Sequence, residues 1–141
     1  MSNLLEEQFQ TKWYEWFKEN KSVLPERFCV EFKVTNGGTF SVKAWREGKQ
    51  SHQIGNLINC TNDIGTYHKI ADTGYTNPFD AFFICNADAF LVIYFNKYKE
   101  FFIIPIQEVP FDQTSISYDW CKERYTGHRL LVKRRGEVID F

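Results

Sequence analysis

Apolar residues recur at helical spacing over residues 3–19. Leu5, Phe9, Trp13, Trp16 and Phe17 form one stripe, with Glu6, Gln10 and Glu15 largely outside it. The spacing predicts an amphipathic helix laid across a sheet. After a connector at residues 20–25 the period falls to two. Residues 27–35 read as a strand, and Asn36-Gly37-Gly38 reads as a hairpin turn because these residues tolerate positive φ. Phe40, Val42 and Ala44 then alternate with Ser41, Lys43 and Trp45, predicting a second, half-exposed strand from Thr39 to Trp45. Helical spacing returns from about Glu47 or Lys49 to between Asn59 and Asn62. Ile54, Leu57 and Ile58 mark its buried stripe, and Gln53, four residues before Leu57, turns toward the sheet.

Beyond that helix the apolar runs are of strand length. Tyr67 to Asp72 is a short strand-like piece, followed by a polar loop through Thr76. Asn77-Pro78-Phe79-Asp80 opens a new element. Phe82 to Ile84, Ala89 to Phe95 and Phe101 to Ile106 read as strands, separated by turns at Asn86-Ala87-Asp88 and Asn96 to Glu100. Residues 112–125 are ambiguous, with a short helix around Tyr118 to Arg124, and the tail can form a hairpin across Arg135-Gly136. Helices and strands intermix with no repeat and no linker. The expected fold class is α/β or α+β: a single domain over residues 1–141 in which helices pack on a sheet. Periodicity leaves the strand order open.

Composition narrows the function classes. The chain carries 14 Phe, 7 Tyr and 4 Trp, an apolar load that argues for a packed core and against disorder. Its formal charge of −1 supplies no global field toward nucleic acid, so any such contact must be local. Cys29, Cys60, Cys85 and Cys121 form no CxxC pair, and Cys29 and Cys85 sit inside apolar runs, as reduced buried thiols do. Glu6 and Glu7 interrupt the early apolar residues, which speaks against a signal peptide, and no apolar stretch approaches a membrane span. A cytoplasmic, reducing setting without membrane contact is the expectation.

The chemistry-bearing segment is Phe28 to Gln53. Glu31 and Lys33 lie two apart in a strand, so both side chains leave the same face, with heads roughly 6–7 Å apart. A carboxylate to hold Mg²⁺, beside a cation that orients water or steadies charge developing on phosphorus, suits phosphodiester hydrolysis. The carbonyl of Phe32 adds a further oxygen ligand. Taken alone, the pair also reads as a solvated strand face. His52, His68 and His128 show no metal spacing. Lys122, Arg124, Arg129, Lys133, Arg134 and Arg135 form the one clear basic cluster. It is either a solvated hairpin or a phosphate-contacting surface, and Lys97-Tyr98-Lys99 at a hairpin tip could join it.

Strand E-x-K-x-T, a turn, a strand bearing Phe40 and a helix bearing His52-Gln53 together resemble the PD-(D/E)XK nuclease superfamily. The resemblance is to the branch of RecU-type Holliday junction resolvases and their phage or prophage relatives. Lys69-Ile70-Ala71-Asp72 with Asn77-Pro78-Phe79-Asp80 looks like a second signature of that branch, and the resemblance spans residues 28 to about 106. It implies a restriction-endonuclease-like fold, a central mixed sheet flanked by helices. The implied activity is Mg²⁺- or Mn²⁺-dependent cleavage of branched or double-stranded DNA by a homodimer in a bacterial or phage-infected cell. Glu31 would hold the metal, Lys33 would position water or stabilise charge, and Gln53 would orient the site or touch substrate. His52, Lys69, Arg129, Lys133, Arg134 and Arg135 would contact nucleic acid. One departure stands out: no Asp precedes Glu31, where the superfamily usually supplies one. Asp80 or Asp72 would then be the second metal ligand, Asp80 also serving in catalysis, although Asp80 reads equally as a turn cap behind Pro78. The alternative is a decayed nuclease fold that binds nucleic acid or a protein partner without cutting. A third is an unrelated α+β interaction or anti-defence protein.

Overall fold

Leu5, Phe9 and Trp13 are spaced four apart, and all three are buried along helix α1 (Leu4–Glu19), as the apolar stripe requires. The computed structural model describes residues 4–69 and 81–132. After α1 comes a 3-10 turn (Lys21–Val23), then strand β1 (Phe28–Thr35), β2 (Thr39–Ser41), α2 (Val42–Glu47) and α3 (His52–Cys60). The chain continues through β3 (Thr66–Lys69), β4 (Ala81–Ile84), β5 (Asp88–Phe95) and β6 (Glu100–Pro105). A second 3-10 turn (Ile106–Glu108), β7 (Ser115–Ser117), α4 (Tyr118–Arg124) and β8 (His128–Arg129) complete it.

A four-stranded sheet in the order β1-β5-β6-β8 forms the centre. β1 and β5 run parallel through eight paired positions, Phe28 opposite Asp88 to Thr35 opposite Phe95, while β6 pairs antiparallel with β5 and with β8. The sheet is therefore mixed and flanked by helices, as expected. β2 pairs with β7, and β3 with β4, in separate two-stranded ribbons.

The two faces of the sheet carry two cores. Val30 and Phe32 of β1 pack with Phe9, Trp13, Val92, Tyr94 and Phe101 under α1. There the Phe9 and Tyr94 rings stack at 4.6 Å, and Trp13 meets Phe32 edge-on at 5.0 Å. Cys29, Leu91, Ile93 and Phe95 face the other way, onto a core that includes Trp45, Leu57 and Cys121 from α2, α3 and α4. Glu31 and Lys33 share the parity of Cys29 and so belong to that second side.

Three expectations need correction. The second strand does not reach Trp45: it ends at Ser41, whose Oγ accepts a hydrogen bond from the Ala44 amide at 3.0 Å and starts a helix. Val42 and Trp45, three apart, become the buried pair, while Ala44 is exposed. Asn36-Gly37-Gly38 does not close a hairpin either. β1 and β2 belong to different sheets, and the non-glycine residues with positive φ are Asn86 and Lys99, with Gly65 the glycine, among the described residues. The third correction concerns α3, which buries Leu57 and Cys60 but leaves Ile58 at 45% exposure.

The hairpin of β5 and β6 turns at residues 96–99 as the sequence suggests, and the ambiguous stretch resolves into α4 over Tyr118–Arg124. Cys29, Cys60 and Cys121 are buried free thiols and Cys85 is half-buried and free. The polar loop through Thr76 and the tail hairpin at Arg135-Gly136 lie outside the described residues.

Replacing Phe9 by Ala removes a ring that touches Tyr94, Phe32 and Phe101 and should cost about 3–5 kcal/mol. Ser41→Ala, which deletes only a cap, should cost about 1 kcal/mol. Equilibrium urea unfolding of both variants checks this order, and the reverse order would contradict the placement of α1.

Candidate active site at the edge of the sheet

β1 ends the order of the central sheet, so the groups on it are flanked by a neighbouring strand on one side only. Its Lys33 is 8% exposed although it is a lysine. Two contacts explain how it is held. Its Nζ donates to Gln50 Oε1 at 2.9 Å and lies 5.4 Å from the centre of the Trp45 ring. Trp45 is fixed in turn, because its Nε1 donates to Gln53 Oε1 at 3.0 Å. The helix break between α2 and α3 thus presents Gln50 to the ammonium, and the first turn of α3 presents Gln53 to the indole.

Next to Lys33 opens a groove of about 570 Å³, lined by Thr35, Thr39, Trp45, Lys49 and Gln50 among others. One wall is β1 and β2, the other the end of α2 and the loop after it. Its hydroxyl, amide and ammonium groups can meet an anionic ligand, beside apolar lining from Val34, Phe40, Ala44 and Trp45.

Glu31 is half-buried two residues back on the same face. Burial pushes its carboxyl up from 4.5 to about 7; Lys33 opposes the rise, and Glu6 of α1 adds to it. The same burial lowers the Lys33 ammonium, while Glu31 and Glu6 raise it. Glu6 is also pushed up by burial, drawn back by Lys33. The neighbouring Glu7 adds a smaller upward push on Glu6. α1 covers the opposite face of the sheet, yet Glu6 in its first turn acts on both groups. The open edge at β1 makes this feasible without an intervening strand.

A bound cation would favour the ionised forms of Glu31 and Glu6, which burial disfavours, while opposing protonation of Lys33. Carboxylate oxygens are the donors that Mg²⁺ and Mn²⁺ prefer, so Glu31 and Glu6 fit such an ion by ligand type. Among the described residues no group of three His, Cys, Asp or Glu side chains converges on one point.

The residues expected from sequence distribute unevenly. Glu31 and Lys33 stand together as anticipated. Gln53 reaches the site only through Trp45. His52 opens α3 and is exposed. Lys69 lies on β3 opposite Ala81, in a ribbon separate from the central sheet. Arg129 lies on β8 at the opposite end of the sheet order, three strand spacings or roughly 14 Å from β1, so it does not join this site. Asp72, Asp80, Lys133, Arg134 and Arg135 lie outside the described residues. Sequence reasoning missed Gln50, Trp45 and Glu6. The two-residue period places Trp45 outward on a strand, whereas the stretch is the helix α2 and Trp45 is buried. Glu6 falls outside the apolar stripe, yet it borders the buried Leu5, the signal that places it at the margin of that stripe.

Among the described residues no helix is long and apolar enough to cross a membrane. The chain matches no protein-family model, no curated protein and no solved structure.

Glu31 sets a pH dependence whose sign follows from the direction of its shift. Its folded value, about 7, exceeds the unfolded 4.5, so the native state holds a proton that the unfolded chain releases between those values. Stability contributed by this group is present below about pH 4.5 and is lost as pH rises to about 7. Urea unfolding at pH 5 and 7.5 should show a fall on the order of 1–3 kcal/mol that Glu31→Gln flattens. An unchanged slope in that variant would contradict the burial of this carboxyl.

Proposed function

We propose that this chain is a metal-dependent endodeoxyribonuclease of the PD-(D/E)XK type, similar to RecU-type resolvases, that cuts branched or otherwise structured DNA. The observation that carries the reading is the Glu31–Lys33 pair: an ionisation-averse carboxyl and a buried, anchored ammonium on one face of an edge strand, beside an open groove of mixed polar and apolar lining. A phosphodiester entering that groove would bring negative charge to Lys33, which Gln50 and Trp45 hold in place to meet it. Lys33 then stabilises charge as it builds on the phosphoryl oxygens, or orients the attacking water. Glu31 and Glu6 would hold Mg²⁺ or Mn²⁺, which when bound supplies water activation and charge neutralisation. Gln53 acts at one remove, by keeping the indole under the ammonium.

A second reading, a nuclease fold that binds nucleic acid without cutting, draws on the lack of a third converging acid among the described residues. The two readings separate cleanly. A cutting enzyme should nick four-way junction DNA with Mg²⁺ or Mn²⁺ and not with EDTA. Glu31→Ala and Lys33→Ala should each lower the rate by about 10²–10³-fold while circular dichroism shows both variants folded at the assay temperature. Because metal and proton compete for Glu31, ion binding should release close to one proton per site at pH 6 and almost none at pH 8.5. DNA binding without any metal-dependent nicking would leave the second reading standing and remove the first.

A further inference from the structure

A second surface is tied to the groove wall at Thr39. Gly38, just before it, accepts a hydrogen bond from the Tyr118 amide at 2.8 Å, which fastens the start of α4 to the groove wall. The Tyr118 ring is stacked on Tyr98 with centres 3.8 Å apart and planes at 13°. Tyr98 belongs to the turn between β5 and β6, and that turn is tied to the end of β1 by the Asn96 amide, which donates to the Thr35 carbonyl at 2.9 Å. Thr35 itself lines the groove. Two tyrosines from distant parts of the chain are thus stacked at the rim that leads away from Lys33.

The stack is rigid underneath and cationic at its margins. Phe95 and Phe102 meet Tyr118 edge-on at 5.6 and 5.7 Å, while both tyrosines remain half-exposed. Lys97 Nζ lies 5.4 Å from the centre of the Tyr98 ring and Lys122 Nζ lies 5.9 Å from that of Tyr118. Lys97 is exposed, and Lys122 is shared with Glu100 at 3.2 Å. Further along α4 the same four-residue spacing places Arg124 4.5 Å from the Trp120 ring. Holding α4 on the sheet explains the edge contacts of Tyr118 with Phe95 and Phe102. It does not explain why the outer rings carry an ammonium on each side. Flat rings with flanking cations are what a nucleobase and its phosphate recognise together, and base identity does not enter that recognition.

We propose that the Tyr98–Tyr118 stack, with Lys97 and Lys122, binds an unpaired nucleotide of a DNA strand running out of the groove. In an intact duplex the base faces are already stacked on their neighbours, so the platform selects strands that are open at this point. Two strand residues, roughly 7 Å, separate Lys33 from Thr35. The platform lies beyond Thr35, so the unpaired nucleotide is displaced along the strand from a phosphate held at Lys33. The position relative to the cut rests on the nuclease reading; the binding itself does not.

The test keeps the two apart by measuring binding in EDTA, where no metal-dependent cleavage occurs. The probe is a 12-nucleotide single-stranded DNA carrying 2-aminopurine, titrated with the full chain. Expected are quenching on binding and a loss of affinity of about 5–150-fold in Tyr98→Leu, with Tyr98→Phe retaining wild-type affinity. Lys97→Ala, at an exposed position, should reduce the slope of log affinity against log salt by about 0.7. Wild-type affinity in Tyr98→Leu, or an absent 2-aminopurine response in the wild type, overturns the proposal. So does tighter binding of the matching duplex or of the matching RNA. Should Tyr98→Leu unfold, the Tyr98→Phe rescue and the Lys97→Ala salt slope decide alone. Tyr98-dependent binding without nicking in Mg²⁺ would sink the nuclease reading and leave this one. Nicking unaffected by Tyr98→Leu, with its binding intact, would do the opposite.

Discussion

The parallel pairing of β1 with β5 over eight residues is the constraint on which the rest depends. Side chains alternate between faces, so a slip of one residue in that register would send Glu31 and Lys33 under α1 and bring Val30 and Phe32 to the groove. The register is over-determined by packing. Phe32 sits against Phe9, Trp13 and Tyr14, and Cys29 is built into the core beneath α3. Exchanging the two faces would put an ammonium among those rings, at a cost no local contact could offset. The aromatic core under α1 thus stabilises the fold and also sets which way the candidate site faces.

A parallel pair also demands a long crossover, and here it runs from Asn36 to Ala87. That connection carries α2, α3 and the β3–β4 ribbon, and the groove is made from its first part. Ser41 caps α2, Trp45 is buried at the end of one turn, and the break before α3 leaves Gln50 facing the ammonium. Local capping and a long-range strand pairing therefore meet at Lys33. The ammonium is positioned by residues that the crossover brings back to β1, and the raised carboxyl beside it follows from the same enclosure.

The edge position of β1 has a second consequence. A central strand would have shielded Glu31 from α1, whereas here Glu6 acts on it from the other layer. Burial only partly offset by Lys33 makes both carboxyls poor anions, a condition that costs stability and favours a cationic ligand. The β5–β6 turn, tied to the end of β1 through Asn96, extends the same surface toward the tyrosine stack.

Several features were legible from local pattern alone. The stripe Leu5-Phe9-Trp13 defined α1, the alternation around Glu31 and Lys33 placed both on one face, and the apolar runs marked β5 and β6. These depend on neighbours three or four residues away in a helix and two in a strand, which the order of residues states directly. Trp45 and the supposed hairpin at Asn36-Gly37-Gly38 were misread because Phe40-Ser41-Val42 satisfies a two-residue period as well as the start of a capped helix. The choice was made by the pairing of β2 with β7, some 75 residues on. Likewise, nothing near position 31 or 33 in the chain announces Glu6, Gln50 or the Tyr98–Tyr118 stack. The sequence by itself determined which elements exist and that a carboxylate and an ammonium share a strand face. Only the tertiary structure decided which strands pair, which side of the sheet that face meets and which distant side chains surround it, because those outcomes depend on contacts whose energies are not properties of any local window.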